Sequence, residues 1–213
     1  QSLVILTAGI DLSVGAIAVL SSVIMGQFTF RYGLPVEVAV AAGLIFGTLI
    51  GSLNGWLIAA MKLPPFIVTL GMWQIVLAAN FLYSKNATIR SQDIEQQAPL
   101  LQFLGTTFNI GADVDGRGGA TFTYGVIAMV LIFAVLSYVL SQTAWGRHVY
   151  AVGDDPEAAQ LSGVNVKRTI ISVYAVTGFI CAIAGWALIG RIGSVSPTSG
   201  QLLNIESITA VVI

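Results

Sequence analysis

Residues 146–168 read GRHVYAVGDDPEAAQLSGVNVKR and lie between two apolar segments that are long enough to cross a membrane. Asp154 and Asp155 can each cap a helix N-terminus, and Pro156 is tolerated in a first helical turn. Gly163 supplies the left-handed conformation that commonly ends a helix. Because isolated helices shorter than about 12 residues are marginal in water, this stretch predicts a short polar helix that packs on another surface. Such a helix favours a mechanical contact in transport over catalysis.

The composition indicates a membrane protein. The chain has 213 residues, of which 56% are hydrophobic and 9% are charged, and its mean hydropathy is +0.87. A soluble domain of this length carries far more charge. The net charge of -1 indicates neither nucleic acid nor an anionic membrane surface as a partner.

The apolar runs predict an all-α, polytopic transmembrane helical bundle. A helix needs roughly 17 to 25 apolar residues to cross the hydrocarbon core. Such runs occupy residues 2–26, 36–61, 66–83, 122–141 and 169–192, and a further run begins near Ile205. Residues 84–121 and 142–168 are then surface loops on opposite sides, and Lys and Arg are spread over both sides, so their count leaves the orientation open. Since the chain opens at Gln1 and stops within an apolar run, we expect a truncated single permease-like domain, residues 1–213, of a longer protein.

The first apolar run contains the polar sequence GIDLSVG at residues 9–15. A charged side chain at bilayer depth costs a few kcal/mol, so Asp11 requires an explanation. An interrupted helix supplies one, with Gly9 ending the first half and Asp11 or Ser13 capping the second. Broken helices at this depth are found where they are buried in protein or line a cavity. Asp11 is therefore either a cap alone or a contact for a solute.

The second run carries glycine at every fourth position from Gly43 to Gly55, a spacing that lets another helix approach closely. Asn54 lies beside this face and either bonds across helices or faces a polar path. The polar residues in or beside apolar runs are candidates for lining a translocation path, with tying helices together as the alternative role. These candidates are Asp11, Ser13, Asn54, Thr69, Gln74 and Asn80.

The sequence offers no pattern typical of an enzyme. His148 is the single histidine, and neither a cysteine nor a second histidine lies at metal-ligand spacing from it. A phosphate-binding loop needs Gly-Lys before Ser or Thr, and each of the three lysines follows another residue type. We therefore expect no catalytic residues, no metal and no cofactor, and if ATP powers this protein, a separate polypeptide holds the nucleotide.

Four stretches carry a resemblance to a known family. They are LTAGIDLSVGAIAVLSSVIMG (6–26), MKLPPFIVTLGMWQIVLAANFLYS (61–84), WGRHVYAVGDDPEAAQLSGVNVKR (145–168) and WALIGRIGSVSPTSGQLLNIESITAVVI (186–213). Together they resemble the membrane subunit of bacterial ribose-type monosaccharide ABC importers, and most of all the fructose import permeases. The resemblance implies a multi-pass permease of the bacterial inner membrane that works as a homodimer. It also implies an ATP-binding-cassette ATPase subunit in the cytoplasm and a sugar-binding protein in the periplasm.

The same resemblance implies an orientation. The family's cytoplasmic coupling helix matches residues 153–164, so residues 142–168 form a cytoplasmic coupling loop and residues 84–121 a periplasmic loop. The matched coupling residues are Gly153, Asp154, Asp155, Pro156, Glu157, Ala158, Ala159, Leu161, Ser162 and Gly163. Residues 111–119, GADVDGRGG, depart from the family because they form a longer and more glycine-rich stretch.

The resulting hypothesis is a permease that imports a monosaccharide, either fructose or a ribose-like sugar. One alternative is an ion-coupled secondary transporter of a small neutral solute. Such transporters use intramembrane carboxylates, and the chain offers only Asp11 and Glu206. The other alternative is a scaffold or receptor that moves nothing and uses its loops for docking.

Overall fold

A computed structural model describes residues 1–110, 119–200 and 202–212 of the chain. The predicted all-α bundle is confirmed, with one small β-hairpin added. The α-helices are α1 Ser2–Ile5, α2 Val14–Phe30, α3 Val36–Met61, α4 Pro65–Ser84, α5 Ser91–Gln97, α6 Tyr124–Gln142, α7 Ala144–Asp154, α8 Pro156–Leu161, α9 Val166–Ile192 and α10 Leu203–Val212. A 3₁₀ helix spans Pro99–Gly105, and the strands are β1 Thr107–Ile110 and β2 Ala120–Thr123.

Within the described ranges, four helices are long and apolar enough to cross a membrane, namely α3, α4, α6 and α9. The shorter apolar helix α2 packs among them, mainly against α3 and α9. Pro65 lies in the first turn of α4, where a missing N–H costs little. The bundle is therefore polytopic, as the apolar runs predicted.

The first apolar run is interrupted, as predicted, but the details of the interruption differ. Helix α1 ends at Ile5, and regular helix resumes only at Val14. We define residues 6–13 as the helix break. The left-handed residue in it is Ala8, with φ of 55°, rather than Gly9. Gly9 serves close packing instead, because a Cβ atom there would lie 2.8 Å from the Tyr174 hydroxyl.

Helices α3 and α9 meet at backbone contact. A Cβ atom on Gly51 would overlap the Tyr174 carbonyl oxygen, and one on Gly178 would overlap the Gly47 carbonyl oxygen. The glycines at every fourth position of α3 therefore do what their spacing predicted, since they let a second helix backbone come close. This contact holds the centre of the bundle together.

The connections lie at two ends of the bundle. The end that carries the β-hairpin, here called the hairpin end, also carries the chain after α9, since Ile89 and Val195 exchange backbone hydrogen bonds of 2.9 and 3.1 Å. The opposite end carries α7 and α8 and is called the α8 end. The described parts of the first long connection, residues 84–110 and 119–121, and residues 142–168 thus lie at opposite ends.

The long connection at the hairpin end contains more regular structure than a loop. Strands β1 and β2 pair antiparallel with Phe108 opposite Phe122, so α6 begins at Tyr124 and not at residue 122. Thr123 caps α6 by accepting a hydrogen bond from the Val126 N–H. Residues 111–118, which include most of the glycine-rich 111–119 stretch, lie outside the described residues.

Substituting Gly51 by alanine tests the contact between α3 and α9. We expect Gly51→Ala to lower the free energy of unfolding by about 1–3 kcal/mol, because the added methyl group must push two backbones apart. Gly71→Ala is the matched control, since a Cβ atom at Gly71 in α4 would meet no atom within 4 Å. Thermal unfolding of both variants in detergent measures the difference, and equal stability of the two would contradict the contact.

Candidate functional site

A buried polar cluster lies at the helix break. Asp11 and Asn54 are 1% and 0% exposed, and Ser13 is equally buried, although apolar helices surround all three. The Asp11 Oδ1 atom accepts hydrogen bonds from the Ser13 N–H at 2.7 Å and from the Ser13 hydroxyl at 2.6 Å. Asp11 thus pairs the backbone N–H of Ser13, which is the N-cap residue of α2, while neither Asp11 nor Ser13 makes the side-chain capping bond that the sequence suggested.

Asn54 connects Asp11 and Ser13 to α3. Its Nδ2 atom donates to the Ser13 hydroxyl at 3.0 Å, so Asp11, Ser13 and Asn54 form one chain of hydrogen bonds. Of the two roles that the sequence left open for Asn54, the bond across helices is thus present.

The cluster also contains polar atoms without partners. Among the described residues, the Asn54 Oδ1 atom and the Tyr174 hydroxyl are buried and make no hydrogen bond. An unsatisfied buried polar atom costs about 1–3 kcal/mol, so such groups are usually paired by water or by a bound solute. The cluster therefore has spare hydrogen-bonding capacity of the kind that hydroxyl groups use.

Side chains from other elements pair the backbone around the break. The Thr69 hydroxyl on α4 donates to the Ile10 carbonyl oxygen at 3.0 Å, and the Gln1 amide donates to the Asp11 carbonyl oxygen at 3.1 Å. The Gly15 N–H donates to the Asn204 Oδ1 atom at 2.6 Å. Backbone outside a helix at membrane depth needs such partners, because lipid offers none.

Asn80 and Asn204 form a second polar position nearer the hairpin end. The Asn80 Nδ2 atom donates to the Pro197 carbonyl oxygen at 2.9 Å, and its buried Oδ1 atom has no partner among the described residues. Both asparagines line a cavity of about 20 Å³ together with Trp73. A cavity of this size holds about one water molecule.

For two residues, the structure disagrees with the sequence-based list of residues that could line a translocation path. Gln74 is exposed on another face of α4 and does not join the cluster. Asn204, which the sequence analysis did not select, lies beside the cluster and pairs the Gly15 N–H in the first turn of α2. One sequence signal could have identified Asn204. It is a polar residue at the start of an apolar run, directly after a segment that contains Pro197 and Gly200.

The second candidate surface is α8. The Asp155 Oδ1 atom accepts from the Glu157 N–H at 2.9 Å and the Ala158 N–H at 3.0 Å, which confirms Asp155 as the helix cap. Asp154 is the last residue of α7 and not a cap, because α7 continues to it from Ala144. Gly163 has φ of 87°, as its position after the helix predicted.

Before α9 begins, residues 142–168 therefore contain two short helices, α7 and α8, rather than the single one that was predicted. The sequence analysis missed α7, whose buried residues are Gly146, Val149 and Val152 while Arg147 and Tyr150 are exposed. This pattern is typical of an amphipathic helix that packs one face against a protein core.

The outer face of α8 is open for a partner. Leu161 is 90% exposed, and Glu157 and Ala158 are exposed beside it, while Ala159 is buried and anchors the helix. Beside α8, a cavity of about 580 Å³ is lined by Lys62 from the end of α3 and by residues of the turn into α9. Such a short helix with an unburied leucine is suited to protein contact.

The predicted coupling residues are divided between α7 and α8. Gly153 and Asp154 lie in α7, and Asp155 caps α8. The residues within α8 are Pro156, Glu157, Ala158, Ala159 and Leu161, and Ser162 and Gly163 follow its end.

Comparison with known proteins places this geometry in a family. Residues 2–213 match the family model described as branched-chain amino acid transport system / permease component. The chain is 70% identical to the fructose import permease protein of Rhizobium meliloti over its whole length, which covers 57% of that protein. It is 34% identical to the ribose import permease protein of Haemophilus influenzae, again over its whole length and 62% of the relative.

A third relative is the xylose transport system permease protein of Escherichia coli (strain K12), which is 31% identical over 99% of this chain and 65% of its own length. The chain thus spans about three fifths of the length of these curated relatives. No solved structure matches the chain.

The two hydrogen bonds that Asp11 accepts from Ser13 predict the behaviour of two substitutions. We expect Asp11→Ala to be less stable than Asp11→Asn by about 1–3 kcal/mol, because only asparagine keeps an oxygen that accepts from Ser13. Thermal unfolding of the purified variants measures the difference. Equal stability of the alanine and asparagine variants would show that the bonds from Ser13 do not hold the break.

Proposed function

This chain belongs to the branched-chain amino acid transport system / permease component family, and we propose that it is part of the membrane subunit of an ATP-binding-cassette importer. Its cargo is a monosaccharide, with fructose favoured by the 70% identity to a fructose import permease protein. The protein lies in the bacterial inner membrane and crosses it several times. The observation that carries the proposal is the exposed, capped helix α8 between the membrane-spanning helices α6 and α9.

In this proposal α8 binds the ATPase subunit on the cytoplasmic side. Leu161 fits an apolar socket on that partner, and Glu157 and the α8 cap keep the helix intact while it moves. Residues 142–168 are then the cytoplasmic coupling loop. The hairpin end, with residues 84–121, faces the periplasm and a sugar-binding protein.

ATP drives transport through a change between two states of the permease. A ligand shifts such an equilibrium only by its different affinity for the two states. The ATPase must therefore bind α8 in both states of the permease, and its affinity must differ between them. Because α9 follows α8 after a short turn, a displaced α8 tilts α9 and the helices that pack on it. The path through the membrane then opens toward the other side.

The polar cluster at the break supplies the proposed path. Asp11, Ser13 and Asn54 form its centre, and Thr69 and Asn80 extend it along α4. The unpartnered Asn54 and Asn80 oxygens accept from sugar hydroxyl groups, which suits a neutral, hydroxyl-rich cargo. Few strong bonds are needed, because a tight site would retain the sugar. The working unit is a permease homodimer.

Energy supply separates this proposal from an ion-coupled transporter. We expect fructose uptake into cells to stop when ATP is depleted and to continue when an ionophore removes the ion gradients. The measurement is initial uptake of labelled fructose, with ribose and xylose as competing sugars. Uptake that survives ATP depletion and fails with the ionophore would replace the proposal by the ion-coupled alternative.

A double substitution tests the docking role of α8. We expect Glu157→Gln with Leu161→Ala to abolish co-purification of the ATPase with the full-length permease, because both changed side chains are exposed on the proposed contact face. The permease itself should remain in the membrane at its normal level, since neither side chain is buried.

The matched control makes the same two kinds of change at the hairpin end, an acid to its amide and a leucine to alanine. Asp93→Asn with Leu82→Ala alters an exposed acid and a leucine that is 80% exposed, and we expect the ATPase to co-purify normally. If the ATPase still co-purifies with the α8 variant, α8 does not form the proposed contact.

A further inference from the structure

We propose that Gly153 is a positioning residue that carries the displacement of α8 directly to the helix break at residues 6–13. This inference rests on the proposed function, because it takes α8 as the element that the ATPase moves. It adds a transmission route through α7 to the route through α9.

The contact is one of backbone against backbone. Gly153 lies in the last turn of α7, and its Cα atom faces the Leu6 carbonyl group at the start of the break. A Cβ atom on Gly153 would overlap the Leu6 carbonyl oxygen, and it would lie 2.9 Å from the Leu6 carbonyl carbon and 3.4 Å from the Thr7 Cα atom. Only glycine allows α7 to approach the break this closely.

Helix α7 is joined to α8 with little freedom. Asp155 is the single residue between them, its N–H donates to the Ala151 carbonyl oxygen at 3.1 Å, and its side chain caps α8. A displacement of α8 therefore moves the end of α7, where Gly153 lies.

Helix α7 is also anchored beside the break. Val149 is fully buried in a cluster that includes Leu3 and Val4 of α1 and Tyr174 of α9. When α8 is displaced, the buried face of α7 stays packed in this cluster. The last turn of α7 then moves the segment in contact with it.

The break is built to transmit such a displacement. At its beginning Leu6 contacts α7, in its middle Gly9 packs against the Tyr174 hydroxyl, and at its end Asp11 accepts a hydrogen bond from the Ser13 N–H at the start of α2. A shift at Leu6 reaches the polar cluster across a few residues that no helix holds in place. The proposed path and the proposed docking helix are therefore linked through residues 6–13.

The test uses the full-length permease with its ATPase subunit in membrane vesicles. Cys181→Ala removes the single cysteine of these 213 residues, any cysteine in the rest of the full-length permease is replaced as well, and Ala8→Cys then places a thiol on an exposed position of the break. We expect the labelling rate of this thiol by a maleimide to change when ATP binds. Gly153→Ala should abolish that change and lower sugar uptake about tenfold or more, while the ATPase still co-purifies.

Gly71→Ala is the matched control, because it makes the same substitution in a helix where the added methyl group meets no atom. It should keep both the uptake and the change in labelling. If Gly153→Ala also keeps both, or if it loses uptake while the labelling change persists, the inference is wrong. If the ATPase fails to co-purify with the unsubstituted permease, the proposed function itself fails.

Discussion

Residues 6–13 lie within an apolar bundle without a helix to pair their backbone groups, and the surrounding elements are arranged to supply the missing partners. Asp11 serves the Ser13 N–H, Asn204 serves the Gly15 N–H, and Thr69 serves the Ile10 carbonyl oxygen. These side chains come from the break itself, from α10 and from α4. Because lipid offers no hydrogen bonds, the break exists only while these elements stay packed around it.

The two proposed functional surfaces are linked by this arrangement. In the proposed mechanism, motion at α8 matters only if it changes the polar cluster, and α7 and α9 both lead from α8 to the break beside that cluster. Tyr174 of α9 and Gly153 of α7 contact the same short segment, the first at Gly9 and the second at Leu6. A break in a helix is a weak element that can shift without unfolding its neighbours, so it is a suitable place for a path that opens and closes.

Sequence patterns predicted the membrane helices, the interruption and the α8 cap, because each depends on local chemistry. The second apolar run, residues 36–61, predicted the observed bounds of α3, and the acidic residue Asp11 in the first apolar run indicated the break. The missed features depend on contacts distant in sequence. Asn204 pairs the Gly15 N–H only because α10 returns to α2, and α7 forms beside α8 because Val149 and Val152 find a buried surface beneath them. The exposure of Gln74 depends on how α4 is rotated, which a lone glutamine does not reveal.

The close approach of α3 and α9 has a consequence for biogenesis. Gly51 and Tyr174 are widely separated in the chain, and at a synthesis rate of about 5–20 residues per second, α9 leaves the ribosome on the order of ten seconds after α3. During that interval the glycine face of α3 meets lipid or the insertion machinery instead of its final partner. A slowed or stalled ribosome would prolong this exposed state, so quality-control proteases have their best opportunity before the ninth helix arrives.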